Sequence, residues 1–215
     1  MIKKRFLTLF LTFCVMLSGM AIFTSCSRAP AVEEIYDRVV ELVEASYDLN
    51  TVFYGAGLPV YKTDSEYAEF THMYYGFSHA GSYEYVTPRA QFLSEEQIRT
   101  AAEKVYSKDY LEKVIYPATF VGYAINDGMG DAAFAYARYM EENNSFYQST
   151  QDESYIDGMR IYDYSTMQVV KPSKADACYV TMLSWLEDQP ETVTSVRLRL
   201  VLQDDGMWYL DSFTG

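Results

Sequence analysis

The sequence predicts an α+β fold in which N-terminal helices pack on a curved antiparallel sheet. Two observations support this prediction. The first half of the chain contains segments whose apolar residues recur at α-helical spacing, and the last third alternates apolar and polar residues as half-buried strands do. Helices followed by antiparallel strands are typical of domains in which the helices cover one face of a sheet.

The first helix is predicted just after residue 32. Ile35, Val39, Leu42 and Val43 stand at i, i+4, i+7 and i+8, and the charged residues of the segment mostly fall on other faces: Glu33, Glu34, Asp37, Arg38, Glu41 and Glu44. This spacing places the apolar side chains on one helix face. A second, irregular helix is expected near Ser65–Tyr75, where aromatic residues follow no sustained period.

The next helix is predicted to begin at a capping box. Ser94 and Gln97 stand three residues apart, so that the serine oxygen and the glutamine side chain can satisfy free amides of the first turn. The helix should turn these side chains inward: Ile98, Ala101, Ala102 and Val105. A short helix from Ser107 is expected to follow and to end by Pro117.

The C-terminal part of the chain changes to the period of a strand. Strands are predicted at Arg160–Val170, Ala175–Glu187, Thr192–Gln203 and Met207–Phe213, with a turn at Asp204-Asp205-Gly206 between the last two. In the third of these strands one face carries Thr194, Val196, Leu198, Leu200 and Leu202.

Upstream of these strands the pattern leaves two structures open. Phe134–Met140 and Phe146–Thr150 are predicted as strands on either side of a turn at Glu141-Glu142-Asn143-Asn144. Ala132–Glu142 could equally form a helix, because short apolar runs do not separate the two states.

The closing segment carries a resemblance to a known family. Gly206-Met207-Trp208-Tyr209-Leu210-Asp211-Ser212 is similar to the Gly-x-Trp-x-hydrophobic-Asp-Ser strand that ends many secreted members of the NTF2-like superfamily. The resemblance covers residues 33–215 and implies a sheet curved around helices into a cone, with a pocket at its mouth. The family includes small-molecule enzymes, transport adaptors and non-catalytic envelope domains, so the fold alone does not decide the function.

The N-terminal residues have the pattern of an export signal. A basic head, Met1–Arg5, precedes the apolar run Phe6–Phe23, and small residues stand just before Cys26. The segment resembles a bacterial lipoprotein signal, which implies that Cys26 becomes the lipidated first residue of the mature protein. The alternative is an uncleaved anchor, because the run is about long enough to cross a bilayer.

These features predict three parts of the chain. Residues 1–26 are the signal peptide, residues 27–32 a short tether, and residues 33–215 a single domain. The predicted location is the cell membrane, on its extracytoplasmic face, with the lipid on Cys26 as the link. Cys14 and Cys26 belong to the signal, so Cys178 alone remains and the domain has no internal disulfide.

The charge of the domain restricts its partners. The chain carries a net charge of −13, and its first 26 residues contain three bases and no acid, so the rest carries 14 bases against 30 acids, a net −16. This balance argues against nucleic acid, whose phosphates are bound by clustered lysine and arginine. It favours a basic partner, or it keeps the domain soluble.

The residues that could carry chemistry do not form a catalytic set. His72 and His79 are the only histidines, and a zinc site needs a third protein ligand. We therefore predict no catalytic residue, no metal and no cofactor. If the domain were an enzyme of the NTF2-like kind, the resemblance would make His72, His79, Asp163 and Asp211 the candidate acids or bases.

Tyrosine is the most unusual component of the chain. All 21 tyrosines lie in the predicted domain. Tyrosine gives a large contact area at little cost in rotamer entropy and has a polar tip, which suits binding surfaces. We predict ligand contact by the aromatic stretch before residue 86, through Tyr74, Tyr75, Phe77, His79, Tyr83 and Tyr85.

The predicted function is therefore recognition rather than catalysis. The domain is expected to bind a protein, peptide or glycan of the cell envelope while tethered to the membrane. One alternative is an acidic inhibitor or regulator of cell-wall hydrolases. The other is a small-molecule enzyme with an acid or base in the cone.

Overall fold

The computed structural model describes residues 29–61, 72–75, 80–126, 132–135, 137–149, 158–170 and 176–215. For residues 72–75, 80–82, 123–126 and 132–135 the backbone alone is described. The predicted signal peptide, Cys26 and the first residues of the tether lie outside these ranges. None of the helices inside them is long and apolar enough to cross a membrane.

Three helical segments lie in the described part of the chain: α1, Val32–Tyr54; α2, Glu95–Ala102; and α3, Lys108–Tyr110, which continues into π-helical turns at Leu111–Ile115 and Pro117–Val121. The predicted apolar face of α1 is confirmed, because Ile35, Val39, Leu42 and Val43 are all buried in the core.

The predicted start of α2 is confirmed as well. The Gln97 amide donates to Ser94 Oγ at 3.3 Å, and Gln97 Oε1 accepts from the Leu93 amide at 2.8 Å. Ile98 and Ala102 are fully buried, as the spacing predicted.

The prediction that the next helix ends by Pro117 was wrong, since helical turns continue to Val121. Pro117 occupies the first position of the second π-helical turn, and its fixed φ is compatible with a helical backbone, so it does not end the segment. The Gly122 amide donates to the Pro117 carbonyl at 2.9 Å, and Gly122 leaves the helix with φ of +71°. Such wide turns have no distinct sequence pattern.

The described strands form two four-stranded antiparallel sheets and one pair. The first sheet has the order β1-β2-β6-β5, the second β10-β9-β8-β7, and β3 pairs with β4. The strands are β1, His72–Tyr75; β2, Ala80–Tyr85; β3, Tyr123–Asn126; β4, Ala132–Ala135; β5, Tyr139–Glu142; β6, Ser145–Ser149; β7, Arg160–Val170; β8, Ala177–Leu186; β9, Gln189–Leu202; and β10, Trp208–Leu210. Helices with antiparallel sheets confirm the predicted α+β class.

The irregular helix expected near Ser65–Tyr75 was wrong where it can be compared, because His72–Tyr75 is a strand. It pairs with β2, with Met73 opposite Ser82. Its paired partner, rather than any period of its own, decides its conformation, and tyrosine suits a strand. Residues 62–71 lie outside the described ranges.

Residues 132–142 form strands rather than a helix, but the prediction of one strand at Phe134–Met140 was wrong: β4 ends at Ala135 and pairs with β3, and β5 begins at Tyr139 and pairs with β6. The two strands have different partners, which the local pattern does not encode.

β5 and β6 form a hairpin closed by Asn143 and Asn144, which have φ of +51° and +61°. Two positive φ values are the mark of a type I′ turn, and asparagine tolerates them. Glu141 and Glu142 therefore belong to β5 and not to the turn.

The long C-terminal strands are close to their predicted bounds, and β7 matches them at both ends. Leu198 and Leu200 of β9 face the core, and the turn after β9 contains Gly206 with φ of +80°. Cys178 is fully buried between β7 and β9, beside the likewise buried Val180 and Met182 on its own strand. This burial agrees with the sequence, in which Cys178 alternates with Val180 and Met182 as a core residue of a strand does.

Polar contacts join α1 to the end of the chain. Thr214 Oγ1 lies 2.6 Å from Ser46 Oγ and accepts from Asn50 Nδ2 at 2.7 Å. The Tyr106 hydroxyl donates to Asn50 Oδ1 at 2.8 Å. All of these groups are buried, so α1 has a fixed position against the second sheet.

Candidate recognition surface

The predicted aromatic stretch is only partly described. Tyr74 and Tyr75 lie in β1, where their backbones pair with Gly81 and Ala80. Phe77 and His79 lie outside the described residues, and for His72 the backbone alone is given. The structure therefore shows the side chains of two of the predicted contact residues, Tyr83 and Tyr85.

Tyr83 is an interior residue. Its side chain is fully buried, and its hydroxyl donates to the Ala137 carbonyl at 2.9 Å. A buried tyrosine whose hydroxyl has a partner contributes packing and a hydrogen bond to the fold. Its ring is not accessible to a ligand in this conformation.

Tyr85 belongs to a cluster of three half-buried rings, which we call the tyrosine surface: Tyr61, Tyr85 and Tyr147. The rings of Tyr61 and Tyr85 are stacked, with centroids 5.9 Å apart and planes inclined by 15°. Tyr147 meets Tyr85 edge to face at 5.7 Å and 79°. Stacked and edge-to-face contacts hold the rings in one arrangement.

Strand register places two members of this surface side by side. Tyr85 of β2 lies directly opposite Tyr147 of β6, which in turn lies opposite Met140 of β5. Residues that face each other across antiparallel strands point to the same side of the sheet. The opposite side of the hairpin packs inward, where Tyr139 and Phe146 are buried and stacked at 5.3 Å.

Tyr61 reaches the surface from a different segment. Its amide donates to the Tyr85 carbonyl at 2.9 Å, and Val60 forms an isolated antiparallel bridge with Val86. Just upstream, Gln148 of β6 accepts from the Leu58 amide at 2.6 Å and donates to the Ala56 carbonyl at 3.1 Å. The segment after α1 is thus fastened to the first sheet, which orients the Tyr61 ring.

Sequence reasoning did not identify Tyr147 as a contact residue. Its position depends on the pairing of β2 with β6, which are separated by more than fifty residues of sequence. The asparagine pair of the β5–β6 turn was the available signal, because it fixes the hairpin register that brings Tyr147 opposite Met140.

A second feature is an acidic cleft at one end of the second sheet. It encloses about 570 Å³ and is rimmed by Lys108, Asp109, Asp176, Asp204 and Asp205. A hydrogen bond from Lys113 lowers the pKa of Asp109, and the Met207 amide, followed by the Tyr209 hydroxyl, lowers that of Asp205. These carboxylates are charged at neutral pH and give the cleft a negative potential.

Asp211, a candidate acid or base, lies in this cleft as a structural anchor. Its carboxylate accepts from Ser107 Oγ and pairs with the Arg199 guanidinium, and the Asp211 side chain is 8% exposed. Ser107 is the residue that caps α3, where its oxygen also accepts from the Tyr110 amide at 3.2 Å. The contacts join β9, β10 and α3.

Asp163 has a local role. It accepts from the Ser165 amide at 3.1 Å and from Ser165 Oγ at 2.5 Å, at the point where the register of β7 against β8 shifts.

Cys178 has no accessible sulfur, and burial raises the pKa of its thiol to about 11. Within the described ranges no three His, Cys, Asp or Glu side chains are grouped to hold a metal.

Comparison of the chain with protein-family models, with curated proteins and with solved structures finds no match.

Proposed function

We propose that this chain is a membrane-tethered extracytoplasmic domain that binds a protein, peptide or glycan of the cell envelope without catalysing a reaction. The observation that supports this most is the tyrosine surface: three half-buried rings at the first sheet, of which Tyr85 contacts both Tyr61 and Tyr147. The proposal includes an NTF2-like form for the domain, a lipid on Cys26 and a location at the cell membrane.

The arrangement of the rings suits recognition. Each ring is already held by its neighbours, so a ligand that packs on it causes little further loss of rotamer entropy. Tyrosine offers an apolar face and a hydroxyl together, which fits ligands with both kinds of surface, such as sugars and peptides. The tyrosine-rich β1 adjoins β2 and extends the same sheet.

The proposal can be tested by binding to isolated envelope material. The purified full chain, in mild detergent, is mixed with insoluble cell-wall sacculi, with oligosaccharides released from them, with their peptides, and with extracted envelope proteins. We expect saturable binding to one of these fractions. Tyr85→Ala and Tyr147→Ala should weaken it about tenfold or more, the effect of losing one aromatic contact of about 1.4 kcal/mol.

Two controls make the test specific. Tyr36→Ala removes a tyrosine that is 37% exposed on α1 and is not part of the tyrosine surface, and it should leave binding unchanged. Tyr85→Phe keeps the stacked ring and should keep most of the affinity. Absence of binding to all four fractions, or equal affinity of Tyr85→Ala and Tyr36→Ala at matched thermal stability, would contradict the proposal.

The acidic cleft favours a second candidate, an inhibitor or regulator of cell-wall hydrolases that docks on a basic surface of the enzyme. Its carboxylates stand on three separate segments, which gives a broad negative surface rather than a single ion pair. Inhibition of a basic hydrolase that weakens with added salt and is reduced in Asp204→Asn/Asp205→Asn would support it. Unchanged hydrolase activity at high molar excess of the chain would eliminate it.

A further inference from the structure

The tip of the β5–β6 hairpin contains the sequence Asn143-Asn144-Ser145, which has the pattern of an N-glycosylation acceptor. The pattern is asparagine, then any residue except proline, then serine or threonine. It occurs once in this chain, because Asn50, Asn126 and Asn144 have no serine or threonine two residues further on. A pattern this short also arises by chance, so its surroundings in the fold decide whether it can be used.

The turn leaves the acceptor group accessible. Asn143 and Asn144 are both exposed, and their positive φ values form the type I′ turn that closes the hairpin. In the described part of the chain, neither the Asn143 amide group nor the Ser145 hydroxyl has a hydrogen-bond partner. Asn50 shows the contrast, since it is 5% exposed and donates to Thr214 Oγ1. Attachment of a glycan to Asn143 would therefore break no hydrogen bond of the fold.

An acidic residue beside the motif offers an enzyme a second contact. Glu141, two residues before Asn143, is exposed near the end of β5. Its Oε2 atom accepts from the Glu95 amide at 3.2 Å. A carboxylate has two oxygens, so the other one can accept from a basic group of an enzyme that binds this turn.

We propose that Asn143 is the acceptor of an N-linked glycan. The donor is an oligosaccharide activated as a lipid-linked pyrophosphate, and the catalyst is an oligosaccharide transferase of the membrane. The side-chain nitrogen of Asn143 forms a bond to the anomeric carbon of the first sugar, while the bond from that carbon to the pyrophosphate oxygen breaks. The amide loses one proton and the lipid pyrophosphate leaves, so no oxidant or reductant takes part. The product has a bulky polar group at the hairpin tip.

This inference rests on the extracytoplasmic location proposed above, because the glycan is added to chains that have left the cytoplasm. It does not depend on ligand binding by the tyrosine surface, which contains no residue of the motif. The location can be measured separately from the glycan, by the access of an added protease to the chain in intact spheroplasts.

The test is peptide mass spectrometry of the full chain, purified from the cells of its own organism. Cleavage after Arg138 and Arg160 releases residues 139–160, which contain the motif. We expect this peptide to have the added mass of an oligosaccharide. Fragment ions should place that mass on Asn143.

Four variants expressed in the same cells identify the acceptor. Asn143→Asp removes the amide nitrogen but keeps a residue type that tolerates positive φ, and it should lose the added mass completely. Its matched control is Asn144→Gly, which keeps the pattern and forms the favoured Asn-Gly turn, so the added mass should remain. Ser145→Ala should lose the added mass, whereas Ser145→Thr should keep it.

The outcomes separate the glycan from the location. A peptide of unmodified mass from a chain that the protease reaches would contradict the glycan alone. An unmodified chain that the protease does not reach would contradict both the glycan and the proposed location. Added mass that persists in Asn143→Asp would place the modification on another residue and would also overturn the inference.

Discussion

Gly57 and Gly206 adopt almost the same backbone conformation in different surroundings. Their φ values are +79° and +80°, in the left-handed region that disfavours side chains. A Cβ atom on Gly57 would come within 2.2 Å of Gln148 Oε1, whereas a Cβ on Gly206 would have no atom within 4 Å. Comparing the same substitution at Gly57 and at Gly206 therefore separates the cost of backbone strain from the cost of steric contact.

We expect Gly206→Ala to lower the free energy of unfolding by about 1 kcal/mol, the backbone cost alone. Gly57→Ala should lower it by about 1–3 kcal/mol more, because it also displaces the Gln148 side chain from the Leu58 amide. Denaturant unfolding of both variants measures the difference. Equal losses would show that the Gln148 contact contributes nothing.

The sequence predicted whether some side chains are buried, but not others. Cys178 alternates with Val180 and Met182, so its burial followed from strand period alone. Tyr83 and Tyr85 share that period, yet one is interior and the other lies at the surface. What distinguishes them is the local covering by other segments, such as the Ala137 carbonyl that binds the Tyr83 hydroxyl, and this depends on long-range packing.

The C-terminal end of α1 is capped by a residue from the β5 region. α1 has no basic residue in its last turn. Arg138, which is buried, donates from Nε to the Val52 carbonyl at 2.7 Å and from Nη2 to the Gly55 carbonyl. A cation at the negative end of a helix dipole, bonded to free carbonyls, stabilises that end.

Arg138→Met should therefore lower the free energy of unfolding by about 2–3 kcal/mol, since it removes the charged donor from the Gly55 carbonyl and leaves the Val52 carbonyl with the Tyr139 hydroxyl as its donor. Arg89→Met, at an exposed position, serves as the matched control and should change stability by less than about 0.5 kcal/mol. Chemical denaturation of the two variants makes the comparison. A small loss for Arg138→Met would mean that water replaces the guanidinium and that the cap is dispensable.

Among the helices and strands, the sequence predicted those whose apolar residues follow a strong local period. α1, α2 and the long strands of the second sheet have clear periods and end signals, and they lie close to where we expected them. β1 and the π-helical turns after α3 were predicted wrongly. The first depends on a partner strand, and the second on hydrogen-bond register that side-chain pattern does not encode.

The molecule as a whole should be sensitive to alkali because several of its described tyrosines are largely buried. Desolvation raises the pKa of Tyr54, Tyr106 and Tyr162, and raises that of Tyr116 to about 12. In the unfolded chain these hydroxyls lose their protons near pH 10. Above that pH the unfolded state binds fewer protons than the folded state, so stability falls as pH rises.

We expect the free energy of unfolding to decrease between pH 10 and 12 by up to about 1.4 kcal/mol per pH unit for each such group. Urea unfolding at several pH values measures this slope. Tyr106→Phe should reduce the slope, because it removes a buried hydroxyl whose pKa is raised in the folded state. Phenolate formation at pH 11 without loss of stability would show that the buried rings are reached by water.

The α+β class was predictable at this scale, because the order of helices and strands is encoded in local periods. The division of the described strands into two sheets was not, since it depends on which strands pair across the chain. The tyrosine surface could not be predicted from the sequence for the same reason. Its three rings come from separate segments, and the pairing of β2 with β6 brings two of them together.

We have proposed that this domain is held at the extracytoplasmic face of the membrane by a lipid on Cys26. Metabolic labelling with a fatty-acid analogue tests it most directly, in cells that express the full chain, Cys26→Ser or Cys14→Ser. We expect label and membrane association for the full chain and for Cys14→Ser, and loss of label in Cys26→Ser. Persistent label on Cys26→Ser would contradict it.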